Sequence, residues 1–88
     1  MDIFEYDPNK SDANKGKHGI DFQSAKELWK DPNRLIIPAK RVDEDRFLLI
    51  AKLEDVIWAV IYTYRKKNIR IILVRKARDH EKELYIRS

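Results

Sequence analysis

The sequence predicts an α+β fold: an antiparallel β-sheet meander packed by two N-terminal helices and one C-terminal helix. Three observations carry this. Residues 46–53, 56–64 and 69–74 are β-rich runs joined by short connections, the pattern of consecutive antiparallel neighbours. The middle run is apolar on both faces, with Val56, Trp58, Val60 and Tyr62 on one and Ile57, Ala59 and Ile61 on the other, which marks a central strand. It calls for helices on both sides, or helices on one side and a partner on the other. Two helix-start signals, Asp7-Pro8 and Asp21, precede the runs, and a charged helical segment follows them.

Taken in order, residues 3–6 form a short edge strand. Asp7 caps a helix over residues 8–17, with Pro8 at the first position, where the missing N–H costs nothing. That helix has only Ala13 as an apolar residue past the proline, so it needs tertiary support. Gly19 ends it in the left-handed conformation, and Lys15, Lys17 and His18 suit the negative end of its dipole. Asp21 caps a second helix over residues 22–30, whose apolar face is Phe22, Ala25, Leu28 and Trp29, and Asp31-Pro32 ends it. Leu35-Ile36-Ile37 is a strand stopped by Pro38 at a sheet edge. Residues 40–45 read as a charged loop. Glu54-Asp55 makes a turn without glycine, and residues 65–68 connect the last two runs. The final helix covers residues 77–87, with Leu84 and Ile86 as its apolar anchors.

The length of 88 residues allows one domain, residues 1–88, and a modest core. With 43% hydrophobic residues the chain folds despite being 39% charged. It has no cysteine, which excludes disulfides, thiolate catalysis and zinc–cysteine sites. No signal peptide is evident at the start, and no stretch approaches the ~18 apolar residues of a membrane span, so the expectation is a cytoplasmic protein with no membrane partner. A net charge of +4 permits nucleic acid, anionic lipid or an acidic protein as partner.

Several chemistries lack their residues. His80-Glu81 opens like a zinc-protease helix, but Leu84 stands where the second histidine belongs; no metal and no cofactor are expected. Gly16 and Gly19 are the only glycines, so there is no phosphate-cradling loop, and Ser11, Ser24 and Ser88 have no neighbouring histidine. What remains is fixed positive charge around the last strand. Arg65 follows the central strand, Arg70 lies mid-strand on a face that can include Ile72 and Val74, and Arg75-Lys76 marks the strand–helix junction. Antiparallel strands place Arg65 and Arg75 at opposite ends of the sheet. Glu81 and Tyr85, four apart, point the same way from the final helix.

Cleaving RNA without a metal requires a base for the 2′-hydroxyl, cations for the phosphorane and an acid for the leaving oxygen. Arginine offers phosphate a bidentate fork. Glu81, His18, His80, Tyr85 or a desolvated lysine could fill the other roles. Each of these residues also has an ordinary structural use: a basic turn, a solvated stem, a helix-end charge, an ion pair of Glu81 with Arg78 or Lys82.

The ordered set Asp7-Pro8, Asn14, Lys17-His18-Gly19, Phe22, Ala25, Asp31-Pro32, Arg46-Phe47, Tyr62-Thr63, Arg65, Arg70-Ile71-Ile72, Arg75-Lys76-Ala77, Glu81 and Tyr85 resembles the BrnT toxins of type II toxin–antitoxin systems. The resemblance implies a RelE-like fold and a ribonuclease that arrests translation. It also implies a cognate antitoxin, a DNA-binding protein of ribbon–helix–helix type, in a complex with two copies of each chain that represses its own operon. Three departures stand out: Tyr6 replaces a tryptophan, the hairpin at residues 65–68 lacks glycine, and Arg78 replaces a Thr or Ser cap, leaving Asp79 to cap the last helix.

The expected catalytic residues are Arg65, Arg75, Lys76, Glu81 and Tyr85. The cations hold phosphate, and Glu81 and Tyr85 act as acid, base or positioning groups. Arg70, Lys17 and His18 are expected to bind RNA phosphate. The antitoxin is expected to cover Arg75 and Lys76 with acidic side chains and to seat on a patch carrying Phe22, Trp29 and Leu35. The other reading is a non-catalytic basic module that binds RNA or an acidic protein.

Overall fold

In the computed structural model, which describes residues 3–40 and 44–88, the chain runs β1 (Phe4–Glu5), α1 (Pro8–His18), α2 (Phe22–Ala25), a 3-10 segment (Lys26–Lys30), β2 (Leu35–Lys40), β3 (Asp45–Leu53), β4 (Val56–Arg65), β5 (Asn68–Lys76) and α3 (Asp79–Arg87). The strands form one five-stranded sheet in the order β1-β5-β4-β3-β2, with β4 at its centre as expected. β2, β3, β4 and β5 are successive antiparallel neighbours. β1 is parallel to β5, with Phe4 opposite Ile69 and Glu5 opposite Arg70, so the sheet is mixed rather than purely antiparallel. A strand of two residues carries no signal of its direction.

Both hairpins of the meander close through two residues with positive φ: Glu54 (49°) and Asp55 (69°), then Lys66 (50°) and Lys67 (73°). Such left-handed pairs match the twist of the flanking strands. The second connection is shorter than its sequence suggests, because Arg65 and Asn68 pair as the last rung of the ladder. Each of these side chains in the left-handed region costs on the order of 1 kcal/mol relative to glycine.

The predicted caps hold. Asp7 accepts from the Asn9 N–H at 2.9 Å, Asp21 accepts from the Ser24 N–H at 2.7 Å, and Gly19 ends α1 at φ 83°. The second helix does not stay α-helical: after Ala25 it tightens into the 3-10 segment. Phe22, Ala25 and Leu28 are spaced by three, the 3-10 repeat, and all three are buried. Pro38 does not stop β2, which runs to Lys40; the proline sits on the outermost strand, where a missing N–H leaves no ladder bond unmade. The charged loop shrinks correspondingly, since Lys40 and Asp45 pair, and Arg41, Val42 and Asp43 lie outside the described residues.

One face of the sheet carries the core. Leu49, Ala51, Trp58, Val60, Tyr62, Ile71 and Val74 pack there with Ile20, Phe22, Ala25 and Leu28. The polar α1 is held by two buried side chains instead of an apolar stripe. Ser11 Oγ accepts from the Phe22 N–H at 2.9 Å. The Asn14 carboxamide donates to the Val74 carbonyl (2.9 Å) and the Ile20 carbonyl (2.7 Å), and accepts from the Val74 N–H (3.2 Å). It thus occupies the edge of β5 beyond the end of β1, in place of a neighbouring strand. Asn14→Ala is expected to cost about 2 kcal/mol, because it strands these backbone groups in the interior. Urea titration checks this; a loss below about 0.5 kcal/mol would mean the edge is satisfied another way.

The patch expected from Phe22, Trp29 and Leu35 is not a free surface. Phe22 is 1% exposed, and the Trp29 ring packs edge-on between Phe4 (4.9 Å) and Tyr62 (5.2 Å).

Candidate functional site

The opposite face of the sheet is built in rows across the strands. One row is Ile50, Ala59 and Arg75, at the end where α3 packs. The next is Ile37, Leu48, Ile61 and Leu73, apolar and half-buried. Beyond it, Thr63 stands opposite Arg70, and Arg70 opposite Glu5. A bulge makes this arrangement: Ile61 pairs with Leu73 but Tyr62 pairs with Ile71, so Ile72 is left over. Simple alternation put Arg70 on the face of Ile72 and Val74. The bulge instead turns Val74 toward the core with Val60 and leaves Arg70 on the outer face.

At this outer end Arg65 and Arg70 come together over one carboxylate. Glu5 Oε1 is 3.6 Å from Arg70 Nη1 and 3.9 Å from Arg65 Nε. These are loose ion pairs: Glu5 Oε1 is buried yet makes no hydrogen bond. Lys66 and Lys67 form the adjacent hairpin tip, exposed and in the left-handed region. Arg46 flanks the row from β3, its Nε 3.2 Å from Glu44. Tyr64, next to Arg65, is 52% exposed.

The other end is built differently. Arg75 donates two hydrogen bonds to Glu81, at 2.8 and 3.0 Å, and both side chains are largely buried. Glu81 also accepts from the Arg78 N–H at 2.8 Å. Arg78 occupies the N-cap position of α3, and its side chain has no acceptor to offer; the carboxylate of Glu81, reaching back, satisfies the helix start. Asp79 is the first helical residue rather than the cap expected from sequence. The bonds from Arg75 hold the Glu81 carboxyl below its usual range, against the opposing effect of burial. That makes Glu81 a poor proton acceptor.

Tyr85 donates to Asp31 Oδ2 at 2.6 Å. Asp31 also accepts from the Lys52 N–H and the Asn33 N–H, both at 2.8 Å. Burial works to raise the Asp31 carboxyl, but the bonds from Tyr85, Lys52 and Asn33 outweigh it and hold it low. Burial first, and then Asp31, push the Tyr85 phenol up to about 12, so it stays protonated as a donor at neutral pH. α3 is therefore anchored by Glu81 and Tyr85. Leu84 and Ile86, the anchors expected from sequence, are 45% and 73% exposed. Lys76 is exposed and lines a cleft of about 300 Å³ with Asp55, Val56, Ile57 and Lys82. His80 is exposed on the first turn of α3.

The expected site residues thus divide into three groups. Arg65 and Arg70 share Glu5 at one end. Arg75, Glu81 and Tyr85 fasten α3 at the other, four rungs of the β4 ladder from Arg70, or roughly 13 Å at the rise of a strand. Lys17 and His18 lie at the end of α1, beside a separate cleft. Sequence reasoning missed Glu5 and Asp31, the carboxylates that organise the two ends. Glu5 was hidden by the parallel pairing of β1, and Asp31 by its evident role as a helix stop. Among the described residues no three His, Cys, Asp or Glu side chains cluster so as to hold a metal ion, and no helix is long and apolar enough to cross a membrane.

The family described as ribonuclease toxin, BrnT, of type II toxin–antitoxin system matches residues 6–81. No curated protein matches the chain. The matched residues include Arg65 on β4, Arg70 and Arg75 on β5, and Glu81 on α3. The chain belongs to the BrnT family of ribonuclease toxins of type II toxin–antitoxin systems.

Proposed function

We propose that the protein is a metal-independent endoribonuclease, of RelE-like arrangement, that cuts RNA on the outer sheet face and thereby inhibits translation in the cytoplasm. The observation that supports this most is the loose pairing of Arg65 and Arg70 with one carboxylate, beside the Lys66-Lys67 tip. The guanidinium groups lie 3.6 and 3.9 Å from Glu5, too far for short hydrogen bonds, so neither is committed to it and both stay reachable from solvent. A phosphodiester brings shorter, charge-assisted bonds and displaces that pairing. Two forked cations beside one scissile phosphate supply the charge stabilisation that a phosphorane needs. Arg75, Glu81 and Tyr85 take a supporting role in this reading, holding α3 at the far end of the same face. The antitoxin is a ribbon–helix–helix DNA-binding protein, bound as two copies with two toxins and repressing the shared operon.

The test is cleavage of RNA by antitoxin-free protein in the presence of EDTA. Persistent cleavage is the expected result. Activity that requires added Mg²⁺ would overturn the proposed chemistry, and salt-sensitive binding that leaves the RNA intact would identify a binding module instead.

A further inference from the structure

A second surface lies beside the outer face. α1 and β5 enclose a cleft of about 200 Å³. Lys10, Ala13, Asn14 and Lys17 line it from the helix, at positions i, i+3, i+4 and i+7, so one stripe of α1 faces it. Ile72 and Leu73 line it from the strand, where the bulge leaves Ile72 without a cross-strand partner. Asn14 is committed to the edge of β5, as described. The rim is then Lys10, Ala13, Lys17 and His18 on α1, and the floor is Phe22, Ile72 and Leu73. Among the described residues, no acidic side chain lines the cleft. Asp12, the acidic residue of α1, falls on another side of the helix.

We infer that this cleft is the seat of an acidic amphipathic segment of the antitoxin. The inference rests on the reading of the chain as a toxin with a protein antitoxin. An apolar floor gains free energy from burying apolar side chains and nothing from a phosphodiester. The cationic rim selects a segment whose flanks carry Asp or Glu, and speeds its encounter. RNA gains little here: the Phe22 ring in the lining is 1% exposed and cannot stack a base, and the His18 imidazole is half-buried at the end of α1. Leu73 belongs both to the cleft and to the apolar row of the outer face, so a segment seated here continues over Ile61 and Leu48, the row next to that of Arg70. Seating in the cleft and obstruction of the RNA face are then one event. Lys17 and His18 serve the antitoxin rather than RNA.

The experiment compares wild type with the double variant Lys10→Glu/Ala13→Glu, using the antitoxin encoded beside the toxin gene. Both positions are exposed on α1, and a urea titration confirms that the variant folds. Antitoxin affinity is expected to fall at least tenfold, with RNA cleavage by the free variant unchanged. Unchanged affinity would overturn the assignment. So would lost cleavage with unchanged affinity, which would make the cleft an RNA site. A wild type that cleaves no RNA sinks the ribonuclease reading and leaves the affinity comparison valid. In the wild-type complex, Lys10 is expected to be protected from acylation while Lys30, whose side chain is 75% exposed, is not; equal labelling of both would again overturn the seat.

Discussion

Glu81→Ala is expected to destabilise the protein by about 4 kcal/mol, the cost of breaking one partner out of a buried ion pair. The side chain of Glu81 is 4% exposed and that of Arg75 16%, so solvent cannot replace the lost bonds. The substitution leaves the Arg75 guanidinium charged in the interior, and it leaves the Arg78 N–H at the start of α3 without its acceptor. For a domain of this size that corresponds to a melting temperature lower by more than ~10 °C. A pH series separates the charge from the shape. The folded carboxyl is held below its ordinary value of 4.5, so its stabilisation is complete above that value and is lost as the pH falls toward the depressed one. Glu81→Gln removes this component, and its stability should fall less steeply than wild type below about pH 4.5. A double variant, Arg75→Met/Glu81→Leu, should recover much of the loss, because the desolvation of both charges disappears together. If Glu81→Ala costs less than about 1 kcal/mol, α3 is not fastened by this pair.

That prediction concerns residues that a sequence reader naturally assigns to chemistry. Arg70 and Arg75 look alike in the sequence, each an arginine in or beside an apolar strand. What separates them is geometry: two bonds at 2.8 and 3.0 Å for Arg75, against a single approach at 3.6 Å for Arg70. The spacing of Glu81 and Tyr85 was enough to place them on one side of α3, because helix period is local. It could not show that this side, not the one bearing Leu84 or Ile86, meets the sheet. Helices in small proteins are usually sought by their apolar stripe, and α3 is held by a carboxylate and a phenol instead. The same inversion applies to α1, where Ser11 and Asn14 take the place of an apolar face.

The legible parts were those governed by neighbours in the chain. Asp7-Pro8, Gly19 and Asp21 fixed helix ends through backbone bonds spanning a few residues. The three runs of the meander were readable because short connections force adjacent strands together. The parallel partner of β1 was not readable, since Phe4 and Ile69 meet across most of the chain. Its consequence was larger than its length, because that pairing delivers Glu5 to Arg65 and Arg70. The bulge at Ile72 was equally silent, and it decides which face Arg70 occupies.

Arg70→Ala is the substitution expected to reduce RNA cleavage most, by about 10²-fold, the effect of removing one preorganised donor to a developing oxyanion. Stability should change by less than about 1 kcal/mol, since the ion pair being lost is long and partly solvated. The combination matters, because Arg75→Ala would also reduce cleavage, but through unfolding around the stranded Glu81. Two further readouts identify a phosphate contact. The dependence of RNA affinity on log salt concentration should flatten by roughly 0.7 for each cation removed. Arg70→Lys should restore binding more than turnover, because an ammonium keeps the charge but not the planar fork. Arg65→Ala, whose side chain is 63% exposed, should follow the same pattern with a smaller loss. Arg87→Ala is the control: its side chain is 79% exposed near the end of α3, and cleavage should not change. Wild-type cleavage by a folded Arg70→Ala protein would move the phosphate site away from Glu5 and toward the exposed Lys76 at the end of β5 and Lys82 on α3.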